Sequence, residues 1–339
     1  MDGTTRVRER LGERPAEQRP GEAPAALEPL SPSGKRRMLV IVNPYAATVS
    51  DRLRHLVVYA LQGRFEVDAV DTEARGHATE ICREAAHEGY DVVVAFGGDG
   101  TVNEAANGLL GSSTPLCSLP GGSANVFGRL LGIPGDLVDA TEHLLGLADD
   151  WRPRRVDLGV VNGRCFTFAS GLGLDASVVE RVDANPRLKA RLGPYYFTWV
   201  AITTFMRRYL LSPARLEVEG RDGVLQGITA IVQNGAPFTF FKDRPIDIAE
   251  GASLDSGTLA GAVLQRATVL GMPFLGWRAI SRGAHVIRHR QVSGLQPFTE
   301  LTVRGLDGRE LPLQVDGDYL GEVVEAKYSI LPRALNVVA

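Results

Sequence analysis

The segment Val92-Val93-Val94-Ala95-Phe96-Gly97-Gly98-Asp99-Gly100-Thr101-Val102-Asn103-Glu104 constrains the fold more than any other part of this chain. Its apolar run, led by three valines, fits a strand buried on both faces. The run passes without a polar spacer into glycines, and a helical pattern comes next, read over 102–110. Strand, tight glycine turn and helix in direct succession make one unit of a parallel α/β sheet. Glycines leave backbone N–H groups open to a ligand, and a helix N-terminus adds its positive end. That geometry suits phosphate. Asp99 would repel a phosphate unless a Mg2+ ion or a water on it stands between them. The plain alternative is a strand-to-helix turn in which Asp99 caps the helix.

Similar units surround this one. Arg37 to Val42 reads as a buried strand closed by Asn43-Pro44. A helix over about 50–62, a strand over 64–70 and a helix over about 76–88 lead into Asp91. Beyond Asn103 a short strand at 115–119 enters a second glycine loop, Pro120-Gly121-Gly122-Ser123-Ala124-Asn125. Two such loops at neighbouring strand ends read as two sides of one phosphate cradle at the carboxyl edge of a sheet. Asn43-Pro44-Tyr45-Ala46-Ala47 supplies a third side.

The texture changes near Trp151. Short strands recur at 155–161, 164–168, 214–219, 224–234, 259–264, 285–290, 299–304, 311–316 and 319–325, divided by Asn-Gly, Asp-Gly and Gly turns. This is the pattern of antiparallel β structure. A helical insert at 174–210 interrupts it. Residues 1–36, rich in Arg, Glu, Pro, Ala and Gly, lack hydrophobic periodicity and read as a disordered tail. The expected domains are 37–150, α/β, and 151–335, β-rich, with a cleft between them.

Composition excludes several classes. The chain has 339 residues and a formal net charge of −3, which argues against a nucleic-acid binder held by a basic surface. Cys82, Cys117 and Cys165 are too few and too scattered for a disulfide framework or a CxxC zinc site, so a reducing, cytoplasmic setting is expected. No uninterrupted apolar window is long enough to span a bilayer; the richest, Thr198 to Leu211, is broken by Arg207 and Arg208. The N-terminus has no apolar core of a signal peptide.

The glycine loops, together with two segments nearer the C-terminus, resemble the diacylglycerol kinase catalytic domain family, bacterial lipid kinases related to sphingosine kinases and more distantly to NAD kinases. The resemblance covers about residues 37–335. It rests on GGDGTVNEAANGL, PGGSAN, SGLGLDA and VDGDYLGE, which arrive in the family's order. It implies an NAD kinase/diacylglycerol kinase-like fold, an α/β N-terminal domain with a parallel sheet plus a C-terminal antiparallel β-sandwich. It also implies ATP and Mg2+ as cofactors. Nucleotide contacts then fall on Asn43, Pro44, Gly97, Gly98, Asp99, Gly100, Thr101, Asn103, Gly121, Gly122 and Ser123, and more loosely on Thr72.

By the same resemblance Asp316 is the general base, and Asp318 stands where the family has Glu. Asp157 joins Asp99 in a metal-linked network, directly or through water. Read alone, Asp316-Gly317 is a hairpin turn and Asp157 an ordinary strand-end residue. Gly171-Leu172-Gly173-Leu174-Asp175-Ala176 lines the family's cleft, so Asp175 and Asp318 are substrate-side candidates. As a dinucleotide fingerprint that segment is misplaced, outside the βαβ region and with no acid about 20 residues on.

Three departures stand out. Val126 occupies the position of an acid that many members carry after the Asn of the second glycine loop. The loop after Pro44 has no glycine. In Leu254-Asp255-Ser256-Gly257-Thr258, Ser256 replaces the second acid of a motif where some members hold a structural Mg2+, so no such ion is expected.

A lipid substrate would be met at a membrane surface. The insert from Leu192 to Tyr209 is crowded with aromatics and ends in arginines, and Pro237 to Arg244 has similar chemistry, which suits a membrane interface. Burial of those aromatics in the β domain is the competing reading. Arg187, Lys189 and Arg191 read as a solvated face or as headgroup contacts. The expected activity is ATP-dependent phosphorylation of a lipid hydroxyl, diacylglycerol to phosphatidic acid, by a protein peripheral to the inner face of the membrane. A sphingoid base or glycolipid is the alternative acceptor, and a catalytically inactive nucleotide-binding regulatory module is the alternative class. An NAD kinase shares the first glycine loop but fits the Asp-Gly-Asp element and the aromatic insert less well. A homodimer is compatible with the pattern.

Overall fold

The computed structural model describes residues 34–339 except 47, 186–187, 189–191, 211, 221–222, 242 and 282–283. The tail read as disordered falls almost wholly outside the described residues, as do Arg187, Lys189 and Arg191.

The N-terminal unit alternates strand and helix. It comprises β1 (Arg37–Val42), α1 (Asp51–Gln62), β2 (Glu66–Asp71), α2 (His77–Glu88), β3 (Val92–Gly97), α3 (Asp99–Gly108), β4 (Leu116–Pro120), α4 (Val126–Leu130) and α5 (Leu137–Gly146). The strands pair in parallel in the order β2-β1-β3-β4. β3 and β4 are buried at every position, as unbroken apolar runs require when helices cover both faces. This order aligns the carboxyl ends of β1, β3 and β4, with Asn43, Gly98 and Gly121 leaving the sheet side by side.

The C-terminal unit is antiparallel. Its first part is β5 (Arg154–Val161), β6 (Arg164–Phe166), β7 (Ala169–Gly173), α6 (Leu174–Asp183) and α7 (Pro194–Thr204), which continues as a π turn over Phe205–Tyr209. Next come β8 (Leu216–Gly220), β9 (Gly223–Gly227), β10 (Thr229–Gln233), β11 (Thr239–Phe241), β12 (Arg244–Ile246), β13 (Leu259–Leu264) and α8 (Gly271–Ile280). It ends with β14 (Val292–Phe298), β15 (Glu300–Gly305), β16 (Leu311–Val315), β17 (Asp318–Val323) and β18 (Glu325–Val337). One sheet runs β14-β13-β10-β7-β16-β17, and a second contains β18, β15, β8, β9, β5 and β6. Leu172, Val232 and Leu313 from the first sheet share a buried cluster with Val161, Leu216 and Tyr328 from the second. That shared core makes the sandwich, and the expected fold class holds.

β18 unites the molecule. It pairs antiparallel with β15 and β5, and near its end Val337 pairs in parallel with Leu116 of β4. The sheet therefore runs on from the α/β unit into the sandwich, across the expected division near residue 150. Several elements differ from the sequence reading. Residues 285–290 form no strand: Val286–Arg288 is a single 3-10 turn, and the strand lies later, where Val292 pairs with Leu264. α8 is masked in the sequence by Gly271, Pro273 and Gly276, poor helix formers in its first two turns. β18 is masked by Pro332 and Arg333, where the structure has a bulge and Arg333 takes φ 52°. Asp99 and Gly100 belong to the first turn of α3, three residues before the expected helix start. Among the described residues no helix is long and apolar enough to cross a membrane.

Candidate active site

The two glycine loops lie backbone against backbone. A Cβ on Gly121 would stand 2.8 Å from the Cα of Gly97, and one on Gly122 would stand 2.8 Å from the Cα of Gly98. Only residues without side chains pack this closely, and the Gly121 N–H donates to the Gly97 carbonyl at 2.9 Å. Asn125, at φ 47°, closes the second loop: its Oδ1 accepts from the Gly122 N–H at 2.9 Å and its Nδ2 donates to the Gly122 carbonyl at 2.8 Å. The sequence reading misses this role, because both bonds run back to a residue three positions earlier and not forward as in an Asx turn. Ser123 is exposed at the tip.

The third side is braced by side chains. Asn43 donates from Nδ2 to Thr101 Oγ1 at 3.0 Å and accepts from the Tyr45 N–H at 3.0 Å. Thr101 in turn fills the space above Gly97, where a Cβ would meet its Oγ1 at 2.5 Å. The Asn43 turn explains how the loop closes without glycine: none of residues 43–46 needs a positive φ. Pro44 lines a pocket of about 300 Å³ with Val49, Arg54 and Asp71, the last two ion-paired at 3.0 Å. Thr72 sits beside it, its N–H bonded to the Val42 carbonyl.

Asp99 accepts from the Phe127 N–H at 3.3 Å and so caps the start of α4, the helix that begins at Val126. Burial pushes the Asp99 carboxyl up to about 7, and the negative charges of Asp316 and Asp318 add to the rise. Asp318 reaches the same place from the sandwich: a Cβ on Gly100 would collide with its Oδ2. Thus a carboxylate of the β16–β17 turn stands against the first turn of α3.

Asp316 sits differently. It is 3% exposed, at φ 49°, and its carboxylate accepts five hydrogen bonds. Oδ2 receives the Thr167 N–H at 2.6 Å, Thr167 Oγ1 at 2.8 Å and Asn103 Nδ2 at 2.8 Å. Oδ1 receives the Phe168 N–H at 3.0 Å and the Ala169 N–H at 3.1 Å. Burial pushes this carboxyl up, while the backbone donors and Asn103 pull it back. Asn103 is 1% exposed; its Nδ2 also donates to the Cys165 carbonyl, and its Oδ1 accepts from Arg164 and Asn107. It ties α3 to the sandwich through Asp316, so the side-chain bonds the structure shows lie within the protein, where a phosphate contact was expected.

Asp157 is 1% exposed on β5. Its carboxylate accepts the Gly257 N–H and the Arg333 N–H, each at 2.7 Å, holding the 254–258 loop to the bulge of β18. The Asp157 carboxylate is thus a clamp on two backbone amides, and the metal-linked role expected for it beside Asp99 is a proposal. Asp175 lies beneath the turn carrying Asp316, where Gln314 Nε2 donates to its Oδ2 at 2.8 Å. Burial raises its carboxyl to about 6, opposed by that bond. Gln314 also accepts from the Gly317 N–H at 2.9 Å, a link with no signal in the sequence.

Residues 37–161 match the diacylglycerol kinase catalytic domain, and residues 169–339 match the YegS C-terminal NAD kinase beta sandwich-like domain. The chain belongs to the diacylglycerol kinase catalytic domain family. It is 27% identical over 309 residues to a diacylglycerol kinase of Staphylococcus aureus strain RF122, covering 90% of this chain and 93% of that protein. The corresponding protein of strain Newman is 26% identical over 315 residues, with the same coverage. A crystal structure of a diacylglycerol kinase from Bacillus anthracis strain Sterne superposes with a TM-score of 0.66 at 20% identity, over 89% of this chain and 96% of that one. As a member of this family of lipid kinases, the chain fits the needs of phosphoryl transfer in its site. Among the described residues no three His, Cys, Asp or Glu side chains form a complete metal cage. Mg2+ in kinases takes one or two carboxylates and fills its shell with phosphate oxygens and water, and Asp99, at the start of α3 beside the glycine loops, is a carboxylate of that kind.

Proposed function

We propose that this chain transfers the γ-phosphate of ATP to a lipid hydroxyl, with diacylglycerol as acceptor and phosphatidic acid as product. The observation that carries this reading is the approach of Asp318, from the sandwich, to Gly100 at the start of α3, beside the paired glycine loops. ATP phosphates would lie on the N–H groups of Gly97 to Gly100 and Gly121 to Ser123, and the adenosine in the pocket between Pro44 and Asp71. Mg2+, held at Asp99 with phosphate oxygens and water completing its shell, would neutralise charge on the transferring phosphoryl group.

The base assignment comes from hydrogen-bond saturation. A carboxylate whose lone pairs are already taken by five fixed donors is a poor proton acceptor, which argues against Asp316. Asp318 is partly exposed at the seam and is placed to orient and deprotonate the lipid hydroxyl. Asp316 is a positioning residue: it fixes the turn that presents Asp318. Asp175, behind Gln314, is proposed to bound the acceptor side. Attachment to the inner face of the membrane would bring the acceptor to this seam.

The test is transfer of labelled γ-phosphate from ATP to a panel of diacylglycerol, sphingoid base and glycolipid in mixed micelles. Wild type should label diacylglycerol, and Asp318→Asn should keep ATP binding and lose turnover. ATP binding without transfer to any lipid overturns the reading.

A further inference from the structure

α7 is apolar on two faces, which a soluble helix resting on one core does not need. Tyr196 and Val200 turn inward to a buried cluster shared with Phe205 and Tyr209. Tyr195, Trp199, Ile202 and Met206 fall at i, i+4, i+7 and i+11 and are between 49% and 61% exposed. α8 repeats the arrangement. Met272 and Leu275 pack on the same buried cluster, while Leu270, Phe274 and Trp277, again at i, i+4 and i+7, face outward. Phe274 and Trp277 stack at 5.5 Å, and the Arg278 guanidinium lies 5.2 Å from the Phe274 ring.

The two stripes are joined. Tyr195 meets Phe241 of the β11–β12 hairpin edge-on at 6.2 Å, and β12 packs against α8. The hairpin continues to the nucleotide side, where Arg129 lies 3.6 Å over Phe240 and lines the small pocket that contains Asp99. The apolar surface therefore runs from the phosphate site outward over both helices.

Charge selects the occupant. From Ala184 to Leu211 the chain carries Arg187, Lys189, Arg191, Arg207 and Arg208 with no Asp or Glu. From Ser256 to Thr299 it carries Arg266, Arg278, Arg282, Arg288 and Arg290, again with no acid. Ten cations and no anion in these two stretches contrast with a whole chain of net charge −3. The acids beside this surface are largely engaged: Glu180 with Arg208, Asp243 with Arg129, and Glu250 with His285. Exposed Trp and Tyr among arginines, without carboxylates, match the interface of an anionic bilayer and not a second copy of an acidic protein.

We infer that the outward faces of α7 and α8, bridged by the β11–β12 hairpin, form one docking surface for an anionic lipid bilayer. The inference rests on the lipid-kinase reading for its purpose, but its test is separate. The full chain is sedimented with vesicles of phosphatidylcholine alone or mixed with phosphatidylglycerol, and tryptophan emission is recorded.

Binding to the anionic vesicles, weakened by salt and accompanied by a blue shift, is the expected result. The double variant Phe274→Ala, Trp277→Ala and the single variant Trp199→Ala should each weaken it by about tenfold or more, with unchanged far-UV circular dichroism. Both should still phosphorylate a short-chain diacylglycerol dissolved as monomer, since neither position belongs to the site. Folded variants that bind like wild type overturn the inference. So does a wild-type dimer in the ultracentrifuge that the same substitutions convert to monomer, because the face would then cover a second copy. Vesicle binding without phosphorylation of any lipid leaves the docking surface in place and overturns the kinase reading alone.

Discussion

Asp316 and Asp318 are two residues apart and have opposite environments, so their variants should separate. Asp316→Ala removes the acceptor for five donors and leaves buried N–H groups unpaired, a loss of about 3 kcal/mol or more in stability. Its melting temperature should drop sharply. Asp318→Asn should melt like wild type and lose about 10²–10⁴ in kcat, the range of a general base. Equal melting of Asp316→Ala and wild type would remove the anchor role. Gly122→Ala tests the loop contact: its Cβ would press on Gly98 at 2.8 Å, so overpacking of about 1–3 kcal/mol and weaker ATP binding by calorimetry are expected. Asp175 gives a pH signature. Its folded-state carboxyl is raised to about 6 from an ordinary 3.8, so the folded protein holds a proton that the unfolded chain has released. Stability from this group should fall as pH rises from about 4 to about 6 and level off above. Urea midpoints across that window should slope less in Asp175→Asn.

Legibility varies with how local each element's cause is. β1, β3, β4 and the two glycine loops are readable because unbroken apolar runs and adjacent glycines carry their own geometry. The reach of α3 back to Asp99 is not, since Gly100 hides a helical first turn. α8 and β18 are hidden by Gly and Pro whose cost is met by tertiary packing. The site divides the same way. The cradle glycines come from sequence, whereas the burial of Asn103 and the amide clamp on Asp157 depend on partners about 60 to 210 residues distant. That clamp makes an element-scale prediction. Asp157→Ala should free both the 254–258 loop and the β18 bulge, costing about 2–4 kcal/mol in thermal unfolding. A variant as stable as wild type would show that the two amides find other partners.

At the scale of the molecule, the sandwich and the α/β unit are one sheet system joined by β18, with Asn103 and Asp316 as a second tie. Leu335 is fully buried in the N-terminal core although it comes near the end of the C-terminal unit. Leu335→Ala should cost about 2–5 kcal/mol and lower a single unfolding transition monitored by tryptophan emission and circular dichroism together. Two separated transitions in wild type would show that the units melt independently.

The same strand has a consequence for biosynthesis. Leu116 and Val337 are roughly 220 residues apart, so while the ribosome works, the far edge of β4 waits with its backbone groups unpaired. The sheet that carries the glycine loops is thus completed only once β18 has been made, long after β4. A stalled or nicked nascent chain would carry both glycine loops complete on an open sheet edge, a substrate for chaperones before it is an enzyme.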